Sequence, residues 1–403
     1  MKKIIFFTNY FPKLPSFENF GTWALDQAEA ISKNHKVLVI SFVPYFPKIL
    51  KYVNDKFNKW SNVYKKFKIN ENLHVRYIRI NPFLFKKMKR LRKRPNMFAG
   101  YFYGKMKWTV KYFAPDLMIA NHVMYEGYIA NYFKYKMKIP YACFEHSPDD
   151  FIPENEKHGR AYKKTVTESS GFVNVSEYSY DRINSTYNFN NNMNFILYNY
   201  SRDAKEYKNI EILTRYGIDT KTHYIVEVAN FENRKNHLSL LKIFNWIKDE
   251  FTEWNLLFVG THDQTLNRIN AFISDNGLEK RVRIIRNVRH SDVLNILNFM
   301  DIFVLPSDNE MFSVSVLEAL SAGLPVISTI HNGLVDAVFN DSAVFNIDPA
   351  NLTALKKSLT MLMKDEKKRI DTGVENRCLY EKYFTRDIYE KNIDRIIMNM
   401  TKE

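Results

Sequence analysis

Between Asp301 and Thr329 the chain reads DIFVLPSDNEMFSVSVLEALSAGLPVIST, which parses as strand, polar loop, helix, turn and strand. Ile302 to Leu305 are apolar without interruption, as in a strand covered on both faces, and Pro306 and Ser307 end it. Val314, Leu317, Ala319, Leu320 and Ala322 mark the buried side of the following helix. Gly323 closes that helix, and Leu324 to Ser328 supply the next strand.

Two carboxylates stand at the ends of the loop-helix step, Glu310 and Glu318, with seven residues between them. If the whole interval is helical they lie about 12 Å apart, too far to act as an acid/base pair on one bond but well placed to hold two ends of an elongated ligand. Phe312, Ser313 and Val314 lie between them, where a helix N-terminus offers backbone N–H groups to a phosphate. The plainer alternative is two solvated helix glutamates.

The combination PSDNEMF and EALSAGLPVI resembles the signature of the family 4 (group 1) retaining glycosyltransferases with the GT-B fold. The resemblance implies an α/β protein of two Rossmann-like domains facing each other across a cleft, with the donor on the C-terminal domain and the acceptor on the N-terminal one. It assigns Glu318 to the ribose hydroxyls of a nucleotide diphosphate sugar and Glu310 to a place beside the donor sugar.

A chain of 403 residues, 45% hydrophobic, is long enough for two domains with separate cores. The expected division is 1–200, 201–384 and a C-terminal helix, 385–403, packing back on the first domain as in GT-B proteins. The apolar runs fall far short of the ~20 residues a spanning helix needs. Lys2 and Lys3 precede only four apolar residues before Thr8 and Asn9, so no secretory leader and a cytoplasmic location are expected. Cys143 and Cys378 are too few and too far apart for a disulfide framework or a zinc site, and both are expected to be at least half-buried.

The net charge of +15 is local. Between Lys48 and Lys111 there are 19 Lys/Arg against only Asp55 and Glu71. Residues 48–112 also read as an interruption of the βα alternation. Within PFLFKKMKRLRKRP, at 82–95, Leu84, Met88 and Leu91 give a thin apolar stripe on a cationic helix, and Met97, Phe98, Tyr101, Phe102 and Tyr103 follow. Residues 83–103 are therefore expected to meet an anionic membrane surface, on the inner face of the membrane; a nucleic-acid patch and a solvated charged face are the alternatives. No nucleic acid is expected as a partner.

The opening is βαβ: Ile4 to Phe7, a helix from Thr22 to Lys33, then Val37 to Ser41. Its first turn lacks G-x-G-x-x-G, which disfavours a simple dinucleotide-binding domain. By the resemblance, Gly21 and its neighbours contact donor and acceptor; alternatively Gly21 only starts a helix. The strand Pro140 to Glu145 ends at EHSPDD, where ligands of open α/β sheets bind, and the resemblance gives His146 a hydrogen bond to the donor sugar. No D-x-D occurs in the chain, so no metal site and no cofactor are expected.

After Ser201 the sequence turns polar up to Thr222, as in a linker. A second α/β domain begins at Tyr224, and the loop NFENRKNH leads into a helix from Leu238. In the resembled family an arginine and a lysine of this loop neutralise the diphosphate. Lys235 matches the lysine, Asn230 stands where the arginine usually does, and Arg234 is the candidate replacement; both cations could instead be ordinary helix-start residues. Asn287 and Val288 fall on the wall whose backbone meets the base. The implied reaction is transfer of a sugar to a hydroxyl of a saccharide or lipid-linked saccharide, with Glu310, His146, Lys235 and Arg234 at the reacting end. The rivals are a GT-B epimerase or phosphorylase, and a non-catalytic basic protein that binds membrane or nucleic acid.

Overall fold

The computed structural model describes residues 1–12, 21–44, 66–80, 94–146, 156–189, 193–334, 337 and 344–401. The chain divides into two compact units, Met1–Leu197 with Tyr389–Glu403, and Tyr198–Ile388. No helix among the described residues is long and apolar enough to cross a membrane.

The first unit holds β1 (Lys3–Phe7), β2 (Lys36–Pro44), β3 (Lys66–Lys68), β4 (Leu73–Ile80), β5 (Leu117–Ala120), β6 (Tyr141–Glu145), β7 (Gly171–Asn174) and β8 (Asn194–Ile196). They form one sheet in the order β3-β4-β2-β1-β5-β6-β7-β8. All pair in parallel except β3, which runs antiparallel to β4. Every residue of β5, β6 and β7 is buried, as their apolar runs require of strands covered on both faces. The path reverses between β1 and β5, which makes the carboxyl ends of those strands the ligand-binding edge of such a sheet.

Part of the expected interruption over 48–112 is regular structure. Leu73 to Ile80 pair with β2 along their whole length, with Leu73, Val75, Tyr77 and Ile80 buried and His74 exposed. The cationic helix expected around Leu84, Met88 and Leu91 lies outside the described residues. The helix that follows, α2 (Pro95–Phe113; α1 is Thr22–Ser32), corrects the interfacial reading of its aromatics. Phe98 and Phe102 are buried, and Phe102 packs on Phe42 with ring centroids 4.2 Å apart. The exposed aromatics of α2 are Trp108 and Tyr112, with the Lys107 and Lys111 ammoniums 5.5 and 5.7 Å from the Trp108 ring.

The first unit also contains α3 (Tyr128–Met137), α4 (Glu156–Thr167) and α5 (Glu177–Tyr187). It is completed by residues from Tyr389 onward. Gln27 Nε2 donates to Tyr389 Oη at 2.9 Å, Lys33 pairs with Glu390, and His35 Nε2 lies 3.0 Å from Asp394. Ile393, Ile396, Ile397 and Met400 bury the apolar side of this final helix.

The second unit holds β9 (His223–Val228), β10 (Trp254–Gly260), β11 (Val282–Arg286), β12 (Ile302–Val304), β13 (Val326–Thr329) and β14 (Val344–Ile347). Their order is β11-β10-β9-β12-β13-β14, all parallel. Counted from β9 this is 3-2-1-4-5-6, the doubly wound nucleotide-binding order, with its switch point between β9 and β12. Its helices are α6 (Glu211–Arg215), α7 (His237–Ile247), α8 (Leu266–Asp275), α9 (His290–Leu297), α10 (Val314–Ala322), α11 (Leu352–Lys364) and α12 (Glu366–Tyr383); α13 (Arg386–Met400), the final helix, belongs from Tyr389 onward to the first unit.

The segment expected to be a linker is part of this unit. Ala204, Ile212 and Leu213 are buried, Asn298 Nδ2 donates to the Ala204 and Tyr207 carbonyls, and Asp203 pairs with Arg377 through both oxygens. Its polar side chains are anchors. Cys143 is buried, whereas Cys378 is exposed, against the expectation for both thiols.

Candidate functional site

The switch point of the second sheet opens into a cavity of ≈ 320 Å³. Its wall includes Val228 to Asn230 after β9, Val259 to Thr261 at the end of β10, Val288, Lys235, Glu310, and Phe312 to Ser315 at the start of α10. Of the residues singled out in the sequence, Lys235, Glu310, Phe312, Ser313, Val314 and Val288 therefore converge on one cavity.

Lys235 ends a 3-10 turn, Asn233–Lys235, and is 8% exposed, with its ammonium on the Glu310 carboxylate. Arg234 Nη1 lies 3.5 Å from the same oxygen, while its Nε donates to Glu232 at 3.1 Å. Asn230 accepts from Thr261 Oγ1 at 2.5 Å, so its side chain serves the loop. Glu310 is held from behind: its N–H donates to the His331 carbonyl at 2.8 Å, and its carbonyl accepts from Gly333 at 3.0 Å. The helix begins only at Val314, so the interval from Glu310 to Glu318 is half loop and half helix. The Ser313 hydroxyl pairs with Ser315 Oγ at 3.2 Å and makes no capping bond to α10, leaving the first-turn N–H groups to another acceptor.

Glu318 is 4% exposed and lies one turn beyond Val314 on the same face of α10. Its Oε1 sits 2.5 Å from His290 Nε2, at the start of α9. Neither glutamate is a solvated helix residue. Asn287 has a left-handed backbone, φ 54°, and its N–H is taken by the Gly260 carbonyl at 3.1 Å.

A buried pair behind this wall was not legible in the sequence. Glu227 on β9 is fully buried, and His237 Nε2 at the start of α7 lies 3.4 Å from its Oε1. Burial pushes the Glu227 carboxyl well above the usual range, and burial followed by the Lys235 charge lowers His237 to about 4. The His237 imidazole is neutral at neutral pH, and burial favours the neutral form of the Glu227 carboxyl as well.

The switch point of the first sheet gathers a second set. Tyr10 follows β1, Trp23 lies in the first turn of α1, Asn121 and His122 follow β5, and His146 follows β6. The Trp23 and His146 ring centroids are 4.6 Å apart, and His122 and His146 are 5.7 Å apart. The fully buried Glu145 carboxylate accepts from Tyr162 Oη at 3.1 Å, from the His146 N–H at 3.1 Å and from the Val123 N–H at 3.4 Å. His122 Nδ1 lies 3.1 Å from it. Packing around the imidazole, and secondly the adjacent His122, hold His146 well below the ordinary histidine range. Gly21 starts α1 with φ 72°, and a Cβ there would lie 2.6 Å from the Tyr10 carbonyl carbon. That position needs glycine for steric reasons alone. Among the described residues no cluster of three or more His, Cys, Asp or Glu is arranged to hold a metal ion.

Two doubly wound parallel sheets in separate units, each with polar residues gathered at its switch point, define the GT-B class. Residues 208–377 match the family model described as Glycosyl transferases group 1. The chain is similar to the N,N'-diacetylbacillosaminyl-diphospho-undecaprenol alpha-1,3-N-acetylgalactosaminyltransferase of Campylobacter jejuni, 33% identical over 27% of this chain and 30% of the relative. It is also similar to the capsular polysaccharide biosynthesis glycosyltransferase CapM of Staphylococcus aureus, 27% identical over 41% of this chain and 43% of the relative. The chain thus spans less than half the length of these curated relatives. Among solved structures, Anabaena HepE in complex with UDP and glucose shares the fold, with a TM-score of 0.73, 15% identity, and coverage of 99% of this chain and 100% of that one.

Proposed function

We propose that the protein is a retaining glycosyltransferase that moves a hexose-type sugar from a nucleoside diphosphate sugar to a hydroxyl of a saccharide or lipid-linked saccharide in cell-surface polysaccharide synthesis. The observation that carries this reading is the Lys235–Glu310 pair beside the uncapped start of α10, one turn from the buried Glu318. That set suits a nucleoside diphosphate: the cation and the N–H groups of Phe312 to Val314 for its phosphates, and Glu318, steadied by His290, for its ribose hydroxyls. The UDP bound by HepE and the saccharide and diphospho-undecaprenol named for the relatives support the choice of donor and acceptor.

In the transfer, the bond from the anomeric carbon to the diphosphate oxygen breaks, and an acceptor oxygen bonds to the same face of the sugar. The acceptor's proton passes to the departing phosphate oxygen, so no second carboxylate and no metal is needed. Lys235, Arg234 and the α10 N–H groups stabilise the charge that grows on the diphosphate. Glu310 orients a hydroxyl of the donor sugar, and His146, at the switch point of the first sheet, is assigned a sugar hydroxyl of its own.

Glu318→Ala removes two ribose hydrogen bonds and is expected to raise the donor KM about 10- to 100-fold. A screen of nucleotide sugars for diphosphate release, run on both proteins, tests this. Equal donor affinity in a variant that melts normally overturns the reading.

The basic unit is proposed to work at the inner face of an anionic membrane, in the cytoplasm. Trp108, Tyr112, Lys66, Lys68 and Arg76 line a groove of ≈ 680 Å³ with apolar walls and cations. Flotation with anionic but not neutral liposomes is expected, weakened in Trp108→Ala. Indifference to lipid charge, or binding to duplex DNA instead, removes this part.

A further inference from the structure

One hydrogen-bond chain at the edge of the first sheet is not used by the reaction described above. Thr8, just after β1, accepts the Tyr10 N–H on its Oγ1 at 3.0 Å and turns its own hydroxyl to the Tyr10 carbonyl at 3.4 Å. With its proton placed there, Thr8 presents a lone pair to Asn121, whose Nδ2 donates to it at 3.4 Å. The Asn121 amide is thereby oriented, and its Oδ1 faces His146 Nε2 at 2.9 Å.

An amide oxygen can only accept, so Nε2 carries the hydrogen of this ring. A neutral imidazole holds one hydrogen, and packing together with His122 keeps His146 neutral. Nδ1 is therefore an acceptor, and no described residue hydrogen-bonds to it. Asn121 itself is fully buried and has both ends of its amide engaged, so it reads no ligand directly.

We infer that Asn121 is a positioning residue that fixes His146 as the Nε2–H tautomer, so that Nδ1 accepts a hydrogen bond from a hydroxyl of the sugar substrate. The inference rests on the proposed function for the identity of that hydroxyl, but not for the tautomer. Trp23, its ring against the imidazole, gives the substrate an apolar wall beside this acceptor.

The test is a long-range proton–nitrogen NMR spectrum of the full chain labelled with 15N-histidine, with the His146 signals identified by their loss in His146→Gln. The expected pattern is a protonated Nε2 and an unprotonated Nδ1. Asn121→Leu should give a mixture of tautomers and lower turnover about tenfold, with the donor KM changed by less than about twofold. Asn121→Asp, which keeps an acceptor oxygen facing Nε2, should keep a hydrogen on Nε2 and guards against an unfolded leucine variant.

A wild-type Nδ1–H pattern, or an unchanged tautomer in Asn121→Leu, overturns the inference. The expected tautomer together with full activity in His146→Ala instead overturns the proposed sugar contact, so the two failures are distinct.

Discussion

Lys235→Met is expected to lower diphosphate release from a donor sugar by about 10²- to 10³-fold, the range for losing one preorganised charge-stabilising group. Methionine keeps most of the stem that fills the cavity wall and removes only the ammonium. Arg234 is a poor substitute, because its side chain is 46% exposed and its Nε is committed to Glu232. The variant has a second consequence. Glu310 loses its buried partner and keeps, among the described residues, Arg234 at 3.5 Å, which costs about 1–3 kcal/mol of stability.

The double variant Lys235→Met/Glu310→Gln separates the two effects. It removes the stranded charge, so melting temperature should recover. If the rate stays low in the double variant, the cation acts on the leaving diphosphate; if the rate recovers with stability, Lys235 only holds the loop. A single variant that melts normally and retains more than a tenth of wild-type activity would remove Lys235 from the proposed mechanism.

The second sheet was readable because short apolar runs such as Ile302 to Leu305 stand between turns marked by Pro and Gly, as at Pro306 and Gly323. Glu310 and Glu318 stood out for the same reason, as carboxylates in a stretch otherwise committed to burial. The strand at Leu73–Ile80 was obscured by His74, Arg76 and Arg79, although its alternation was present; local charge outweighed periodicity in the reading. The converse happened at Phe98 and Phe102, where neighbouring lysines made core aromatics resemble surface ones. Polar residues 201–222 read as linker because Asp203 finds Arg377 far along the chain, a partner no local pattern can reveal. Distance in sequence likewise hid His290 from Glu318, 28 positions apart, and Asn121 from His146, 25 positions apart. Side-chain pairs that build a site across separate strands leave no periodic trace, whereas the strands themselves do.

Gly260→Ala is expected to be the most destabilising small substitution around the cavity. Gly260 ends β10 with no positive φ, so conformational freedom is not what the position demands. Space is: a Cβ there would fall 2.0 Å from the Ala229 carbonyl oxygen and 3.3 Å from Phe231 Cε2. The first obstacle is backbone, and it cannot rotate aside. The Ala229 N–H is bonded to the Val259 carbonyl, and Gly260 in turn accepts from Asn287, so β9, β10 and the loop after β11 must separate together. A cost of about 3 kcal/mol or more follows for an overpacked site of this rigidity. For a unit of this size the melting temperature should fall by roughly 6–12 °C. The displaced segment leads to Lys235, so binding of a nucleoside diphosphate should weaken with it. Gly277→Ala is the control, since its φ of 62° strains alanine but nothing stands within 4 Å of its Cβ. That variant should lose only about 1–2 kcal/mol and keep its nucleotide affinity. Equal melting temperatures for the two variants would mean that β9 and β10 part more easily than their paired backbones imply.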